Sequence, residues 1–321
     1  MNPHLKKNKI KNTKVPVIWC FKDGKPGHES QVEGLINSLE KQVNATVHVC
    51  IISLGLFSFL KKNTFGKKCE LPWIGLPNPD LVIGAGHKTH FWMIVARWIF
   101  RCKVVVLMKP SIPKIFFDLL LIPRHDLSES KSIDSKIFPT DGVINKFQYS
   151  SDTLSDRGLV LVGGPSKHFK WDESFILNHI ELLSIKNPRI QWEVTTSRRT
   201  PKSMLSKLKS IGHSNLKFTS WANTDPGWIE TRLKIASRVW VTQDSTSMIY
   251  EALSSGAEVG VISLIPYNKA NRISLCTQKL IDNSIVRTNE ILELNLVKRS
   301  KYLNEADRCA DEIGRRFFTE K

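Results

Sequence analysis

The sequence lacks the cysteine pairs and long apolar runs that mark zinc-binding, secreted and membrane-spanning proteins. Its 6 cysteines are widely spaced, and no CxxC motif occurs that would indicate a zinc ribbon or a redox dithiol. The N-terminus is charged and has no apolar core like that of a signal peptide. The most apolar stretch, residues 91–100, is about half the length that spans a bilayer, and Arg97 interrupts it. We therefore predict a soluble or peripheral protein in a reducing compartment, with Cys20 and Cys102 buried in apolar strands.

Acidic residues are scarce beside basic ones, 30 against 47, which gives a net charge of +17 and a pI of about 9.6. Such a balance indicates an anionic partner: nucleic acid, an anionic membrane surface or phosphorylated substrates. Part of the excess lies in a basic leader, residues 1–14, whose lysines are equally typical of a solvated tail. No interleaving of aromatic and basic residues supports nucleic-acid recognition, so nucleic acid is not an expected partner.

The remainder alternates apolar runs of strand length with helical patterns, as parallel sheets covered on both faces do. Strands are expected within 15–21, 44–52, 79–86, 103–110, 117–123, 158–171, 189–201, 216–221, 238–245 and 258–263, and the longest of these runs also contain the loops that follow the strands. Residues 124–157 are polar and are interpreted as a connection between two units. We predict an α/β protein of two doubly wound Rossmann-like domains, 15–155 and 156–300, facing a central cleft. The last segment, 301–321, is expected to form a helix that packs back on the N-terminal domain.

A hydroxyl-rich helix start follows the strand near 240. Asp244 or Ser245 can cap this helix, and Gly256 can end it. A helix N-terminus with several hydroxyl groups favours an anion, and Glu251 lies one turn further on. We interpret Ser245, Thr246, Ser247 and Glu251 as a ligand site; the alternative is ordinary capping with a surface glutamate.

Two further loops of the second half follow strands. "VGGPSKHF" offers Gly163 and Gly164 for close backbone approach, and Ser166 and Lys167 for a phosphate. It matches neither GxxxxGK[ST] nor GxGxxG, and a tight strand-to-helix turn is the alternative. "TTSRRTP" places Arg198 and Arg199 at another strand end, where they could bind phosphate or form a solvated basic loop.

Two loops of the first half carry histidines. "DGKPGHE" follows the first strand and contains Gly24, Lys25, Gly27 and His28. At the carboxyl end of a strand His28 is well placed as a general base, although a lone histidine is more often structural. "GAGHKTH" places His87 and His90 in H-x-x-H spacing, which is not the H-E-x-x-H of zinc proteases. No DxD motif occurs either, so no metal and no other cofactor is expected.

Taken together, "DGKPGHESQ", "PDLVIGAGHKTH", "FDLLLIPRHD", "GGPSKHFKW" and "TQDSTSMIYEALSSG" resemble the bacterial members of the elongated-mitochondria (mitochondrial fission) family. The resemblance runs in order from about residue 15 to 270. Members of this family are classed as glycosyltransferases of the GT-B fold, and the family name comes from plant members that promote mitochondrial division.

The resemblance implies that the second domain holds a nucleotide sugar and the first holds the acceptor. By analogy with the transferase that builds the lipid-linked peptidoglycan precursor, His28 would lie near the acceptor hydroxyl. Gly24, Lys25, Gly27, His87 and His90 would line the acceptor side. The diphosphate would meet Gly163, Gly164, Ser166, Ser245, Thr246 and Ser247, with Lys167, Arg198 and Arg199 as further phosphate contacts. Glu251 would hold the ribose. Retaining GT-B enzymes carry two glutamates at a different spacing from Asp244 and Glu251, which favours an inverting mechanism.

Taken with the resemblance, the basic charge and apolar stretches suit a lipid-linked envelope acceptor, such as lipopolysaccharide core, at the cytoplasmic face of the inner membrane. Residues 54–68 mix leucine and phenylalanine with four lysines, which suits an anionic membrane surface. Residues 90–101 could add apolar contact, or could form a buried helix that covers the sheet. The alternative function is a non-catalytic membrane-associated adaptor related to the plant fission factor.

Overall fold

A computed structural model describes residues 15–52, 71–127, 134–268, 272–288 and 303–319. The basic leader and the whole of the lysine-rich segment 54–68 lie outside these residues. No helix in the described ranges is both long enough and apolar enough to cross a membrane.

The chain divides into two compact units, Met1–Lys146 with Glu305–Lys321, and Phe147–Asn304. The sequence places the boundary later, between 155 and 156. Residues just before 154 join the second unit because Ser150 N–H donates to the carbonyl of Ser255 at 3.1 Å. The last helix belongs to the first unit.

In the first unit, parallel strands form a sheet with the order β2-β1-β3-β4-β5-β6. The strands are β1 Val17–Lys22, β2 Thr46–Ile51, β3 Leu81–Ala85, β4 Lys103–Leu107, β5 Leu119–Pro123 and β6 Ile137–Thr140. The helices are α1 Pro26–Gln42, α2 His87–Phe100 and, from the end of the chain, Glu305–Phe317.

Both faces of this sheet are buried, as the continuous apolar strands predict. Ile18 and Cys20 of β1 face a core that includes α1 and Glu305–Phe317, while Trp19 and Phe21 face the core under α2. Burial raises the pKa of the Cys20 thiol to about 12 and that of Cys102 to about 11. Both thiols are buried, as predicted.

Residues 124–157, interpreted from the sequence as a connection, contain a strand that the sequence pattern does not predict, β6, and the start of β7, Leu154–Val162. Ile137 is buried and pairs in register with Leu120 of β5. The strand is short, lies at the edge of the sheet and contains Pro139, which edge strands tolerate. Because its flanking residues are polar and it contains a proline, it lacks the apolar run that predicts the other strands.

The second unit is another parallel sheet, with the order β11-β10-β7-β8-β9. Its strands are β7 Leu154–Val162, β8 Gln191–Thr196, β9 Leu216–Thr219, β10 Ala236–Thr242 and β11 Glu258–Ile262. Its helices are α3 Glu173–Lys186, α4 Lys202–Ser210, α5 Trp228–Ile235, α6 Thr246–Ser255 and α7 Arg272–Asp282; the terminal helix Glu305–Phe317 is α8. In such open sheets, ligands bind at the carboxyl ends of the strands.

Candidate functional site

The opening loop turns the chain from β1 into α1. Gly24 adopts a φ of 81°, and Pro26 is the first residue of the helix. The N–H groups of His28 and Glu29 both donate to the carbonyl of Lys25 at 3.0 Å. The loop therefore does serve as a turn, and it brings His28 to the carboxyl edge of the first sheet.

His28 forms a close pair with Asp23. Its Nδ1 lies 2.9 Å from Oδ2 of Asp23, whose side chain is only 1% exposed, against 22% for His28. Oδ1 of the same carboxylate accepts the N–H of Lys25 at 3.2 Å. A buried carboxylate beside Nδ1 favours the tautomer with the proton on Nδ1, so Nε2 carries the lone pair. The arrangement can accept a proton at Nε2 and stabilise the resulting imidazolium.

Asp23 is a site residue that no motif in the sequence indicates. The signal that could have found it is its place directly after β1, five residues before His28 and in the same Gly-rich turn. Acidic residues in such turns are usually solvated, and their burial is not visible in the local pattern.

Gly86 makes room for the Asp23–His28 pair. It adopts a φ of 92° and a ψ of 151° between β3 and α2. A Cβ atom at this position would collide with Nδ1 of His28 and Oδ2 of Asp23. A glycine is thus required here both by the backbone angle and by the packing.

His87 and His90 share one hydroxyl group at the same edge. Nδ1 of His87 lies 2.5 Å and Nδ1 of His90 3.1 Å from Oγ of Ser111. Burial, together with the positive charges of His87 and His28, lowers the pKa of His90 to about 4, against the opposing charge of Asp23. His90 is therefore neutral near pH 7. The structure brings the three histidines named from the sequence together and adds Ser111.

In the second unit, the Gly-rich loop after β7 is held by neighbouring loops. Gly163 N–H donates to Oγ1 of Thr242 at 2.7 Å, and Gly164 N–H donates to Oδ2 of Asp244 at 3.1 Å. A Cβ atom on Gly163 would collide with the Asp244 carboxylate, and one on Gly164 with the backbone of Arg199. These glycines are expected to let the backbone come close to a ligand. In the structure the backbone comes close to protein groups, and contact with a diphosphate stays a prediction.

Arg199 is a structural link between three loops. Its guanidinium donates to Oδ2 of Asp244 at 2.7 Å and to the carbonyl of Gly164 at 2.9 Å. The Asp244 side chain is 1% exposed and that of Arg199 44%. Arg198 is also exposed, as is Lys167, whereas the guanidinium of Arg199 is engaged by Asp244 and Gly164. Of the two arginines, Arg198 is the better placed to meet a phosphate from solvent.

The start of α6 differs from the expected capping arrangement. Ser245 is the N-cap residue but makes no side-chain capping bond, and the described bonds of Asp244 go to Gly164 and Arg199. Oγ1 of Thr246 is buried and has no hydrogen-bond partner within the described part of the chain. Gly256 ends the helix with a φ of 91°, as predicted. The first-turn N–H groups therefore lack a side-chain acceptor at the N-cap, and an anion could take that place.

Ser166 and the predicted ribose ligand are already engaged. Oγ of Ser166 accepts the N–H of His168 at 3.3 Å. Glu251 accepts a hydrogen bond at Oε1 from Oγ of Ser247 at 2.9 Å, which joins two residues predicted to contact different parts of the donor. A ligand hydroxyl would have to share or replace this bond.

Comparison with known proteins identifies the relatives of this chain. The profile of the family described as Mitochondrial fission ELM1 matches residues 26–317. The chain belongs to this family. Within the curated proteins, Uncharacterized protein RP120 of Rickettsia prowazekii (strain Madrid E) is 27% identical over 281 residues, covering 73% of this chain and 79% of that protein.

Solved structures resemble this ELM1-family chain in fold. A candidate UDP-N-acetylglucosamine 2-epimerase from Listeria monocytogenes is 15% identical, with a TM-score of 0.56, covering 94% of this chain and 95% of that one. MnaA of S. aureus, solved with UDP, gives 16%, a TM-score of 0.51, and coverage of 94% and 96%. The glycotransferase of kitacinnamycin gives 12%, a TM-score of 0.51, and coverage of 95% and 100%. These likenesses confirm two Rossmann-like domains of the GT-B type.

Proposed function

We propose that this ELM1-family protein is a glycosyltransferase that moves a sugar from a nucleotide-sugar donor to an envelope glycolipid. The observation that carries the proposal is the pairing of His28 Nδ1 with the buried carboxylate of Asp23. A base of this kind, at the ligand-binding edge of a GT-B-type domain, is what direct displacement on a sugar requires. The GT-B-type fold, and the UDP-N-acetylglucosamine and UDP named for two structural neighbours, support a nucleotide sugar as the partner.

The proposed reaction inverts the configuration of the sugar. Nε2 of His28 removes the proton of the acceptor hydroxyl as its oxygen attacks the anomeric carbon. The bond from that carbon to the diphosphate breaks, and the nucleoside diphosphate leaves with the electron pair. Asp23 stabilises the imidazolium that His28 becomes, and acts as a positioning residue.

The leaving group would be met by the second unit. The first-turn N–H groups of α6 and the hydroxyls of Ser245, Thr246 and Ser247 can donate to phosphate oxygens. Arg198 and Lys167 would supply exposed positive charge, and Glu251 would accept bonds from the ribose. Helix N–H groups and cationic side chains can stabilise the negative charge of the leaving nucleoside diphosphate, so the proposed reaction needs no metal ion.

The acceptor and the location are proposed from charge and apolar surface. A net charge of +17 suits a peripheral protein on the cytoplasmic, anionic face of the inner membrane. A lipid-linked acceptor, such as lipopolysaccharide core, would be available there.

The test is transfer from a panel of nucleotide sugars to a membrane glycolipid extract. His28→Ala and Asp23→Asn are each expected to lower kcat at pH 7 by about a hundredfold or more while donor binding persists. Asp23→Asn is also expected to alter the pH profile of kcat, which a merely structural role would not do. His213→Ala, in the loop before β9, is the matched control. If no nucleotide sugar binds or protects the protein against heating, the proposal fails.

The adaptor alternative makes the opposite prediction. A non-catalytic adaptor would keep its cellular phenotype after His28→Ala and Glu251→Ala, and would lose it when Lys61 and Lys62 are neutralised. Both lysines lie outside the described residues, so the two functions are distinguished by the phenotypes of these variants and not by a structural argument.

A further inference from the structure

Large apolar side chains protrude from one end of the first unit. Trp98 and Ile99, in the last turn of α2, are 75% and 57% exposed. Ile115, in the 3-10 helix Lys114–Phe116, is 72% exposed. Helix α2 already buries Trp92, Met93 and Ala96 against the sheet, so the core does not require Trp98 or Ile99. We call Trp98, Ile99 and Ile115 the Trp98 surface.

Hydrogen bonds connect the two segments of this surface. Arg97 donates to the carbonyl of Phe116 at 2.9 Å and pairs with Asp118 at 3.0 Å. Lys136 donates to the carbonyl of Ile115 at 3.4 Å. An open depression beside Trp98 is lined by Arg97, Arg101, Cys102, Lys103 and Asp118. The apolar side chains therefore stand on one continuous, cation-rich surface.

The charge around the Trp98 surface is predominantly positive. Its cations are Arg97, Arg101, Lys103, Lys114 and Lys136. The nearby carboxylates are engaged: Oδ2 of Asp118 accepts the N–H of Val104 at 3.0 Å, and Oδ2 of Asp80 accepts the N–H of Val17 at 2.8 Å. Asp118, whose side chain is only 14% exposed, is compensated by two of these cations, Arg97 and Lys103, the latter with Nζ 3.6 Å from Oδ1. An anionic partner complements this distribution of charge.

We propose that the Trp98 surface docks the protein on an anionic lipid bilayer. Tryptophan is favoured at the boundary between headgroups and acyl chains, and surrounding arginines and lysines bind anionic headgroups. Apolar tips ringed by cations are the arrangement that peripheral proteins use for this purpose. The inference rests on the membrane location proposed above and does not depend on the transfer reaction.

The position of the surface leaves the candidate site accessible. Trp98 follows His87 by eleven residues of α2, which corresponds to about 16 Å along the helix axis. The three histidines lie at the carboxyl edge of the sheet, and the Trp98 surface lies towards the opposite end. Docking through Trp98 would therefore not cover His28.

The experiment is co-sedimentation of the full chain with vesicles, in the absence of any nucleotide sugar. Vesicles of phosphatidylcholine alone are compared with vesicles that also contain phosphatidylglycerol. Trp98→Ala with Ile115→Ala is expected to weaken binding to the anionic vesicles by about tenfold or more, since both apolar tips are lost. Arg101→Ala with Lys103→Ala is expected to weaken it by a similar factor and to reduce its dependence on salt.

The matched control is Ile185→Ala in the second unit. Ile185 is 58% exposed in the last turn of α3, beside Lys186, and its loss should leave binding unchanged. Unfolding temperatures verify that each variant is folded. Wild-type binding by the Trp98/Ile115 variant would overturn the proposal, as would equal binding of the wild type to both kinds of vesicle. The proposal would also be overturned if a crosslinker at position 98 captured a protein while the chain bound no vesicles, because the surface would then be a protein interface. A chain that binds anionic vesicles but transfers no sugar would refute the proposed function alone.

Discussion

Each unit buries one aspartate at the carboxyl edge of its sheet, and the two aspartates hold different partners. Asp23 pairs with the imidazole of His28, which has two ring nitrogens for proton transfer, whereas Asp244 pairs with the guanidinium of Arg199. Both carboxylates are 1% exposed at the side chain. The first arrangement is suited to proton transfer, and the second to fixing loops around a permanent charge.

A glycine makes room for each aspartate. Gly86 is in contact with Asp23 and His28, and Gly163 is in contact with Asp244. Both glycines come from a neighbouring strand end, so each aspartate links two loops. The same construction therefore supports two different electrostatic sites.

The largest expected effect comes from filling these two positions. Gly86→Ala adds a Cβ atom against the Asp23–His28 pair and requires alanine to adopt a φ of 92° and a ψ of 151°. It is expected to cost about 3 kcal/mol or more of unfolding free energy. Gly163→Ala has no such φ and should cost less, through displacement of Asp244 alone. Denaturant unfolding measures both changes.

Gly314→Ala is the control for this comparison. Gly314 lies inside α8 with open space around its Cβ position, so alanine should stabilise the helix by roughly 0.5–1 kcal/mol. If Gly86→Ala were as harmless as Gly314→Ala, the tight packing around Asp23 would be disproved.

The aspartates also show how far the sequence determines the site. Continuous apolar runs such as those of β1 and β4 predict buried strands because burial on both faces leaves no polar alternation. The His28 loop and the start of α6 are found because glycine, proline and hydroxyl residues have local conformational preferences. The Asp244–Gly164 bond joins residues 80 positions apart, so no local pattern contains it. Burial of an acidic side chain depends on a partner that only the fold supplies.

The second prediction compares a buried histidine in each unit. Burial lowers the pKa of His179, packed 4.6 Å from the ring of Trp240, to about 4, and burial with neighbouring cations does the same for His90. Both pKa values are lowered from an ordinary 6.5, so the unfolded chain binds protons that the folded chain does not as pH falls from 6.5 to 4. Each histidine should therefore reduce stability in this window, by up to about 3 kcal/mol, and have no such effect above it.

Hydrogen exchange distinguishes the two units in this experiment. Between pH 6.5 and 4, the amides of β7 and β10 should lose protection against hydrogen exchange in the wild type but not in His179→Phe, because burial alone lowers the pKa of His179. The loss of protection in β4, which we call its acid sensitivity, should remain in this variant. His90→Phe should reduce the acid sensitivity of the β4 amides and leave that of β7 and β10 intact. An unchanged acid sensitivity of β10 in His179→Phe would contradict the assignment.

The smallest expected effect separates the neighbours Arg198 and Arg199. Arg199→Ala removes the cation from the buried Asp244 carboxylate, whose Oδ1 has no hydrogen-bond partner within the described ranges, and should cost about 1–3 kcal/mol of stability. Adding Asp244→Asn should restore part of this loss, because the buried charge is then absent while an acceptor for Gly164 remains. Arg198→Ala is the matched control: it should leave stability within about 0.5 kcal/mol of wild type and, on the proposed function, weaken donor binding. A variant of Arg198 as destabilised as that of Arg199, or a double variant with no recovery, would show that Asp244 does not fix its loops through this charge.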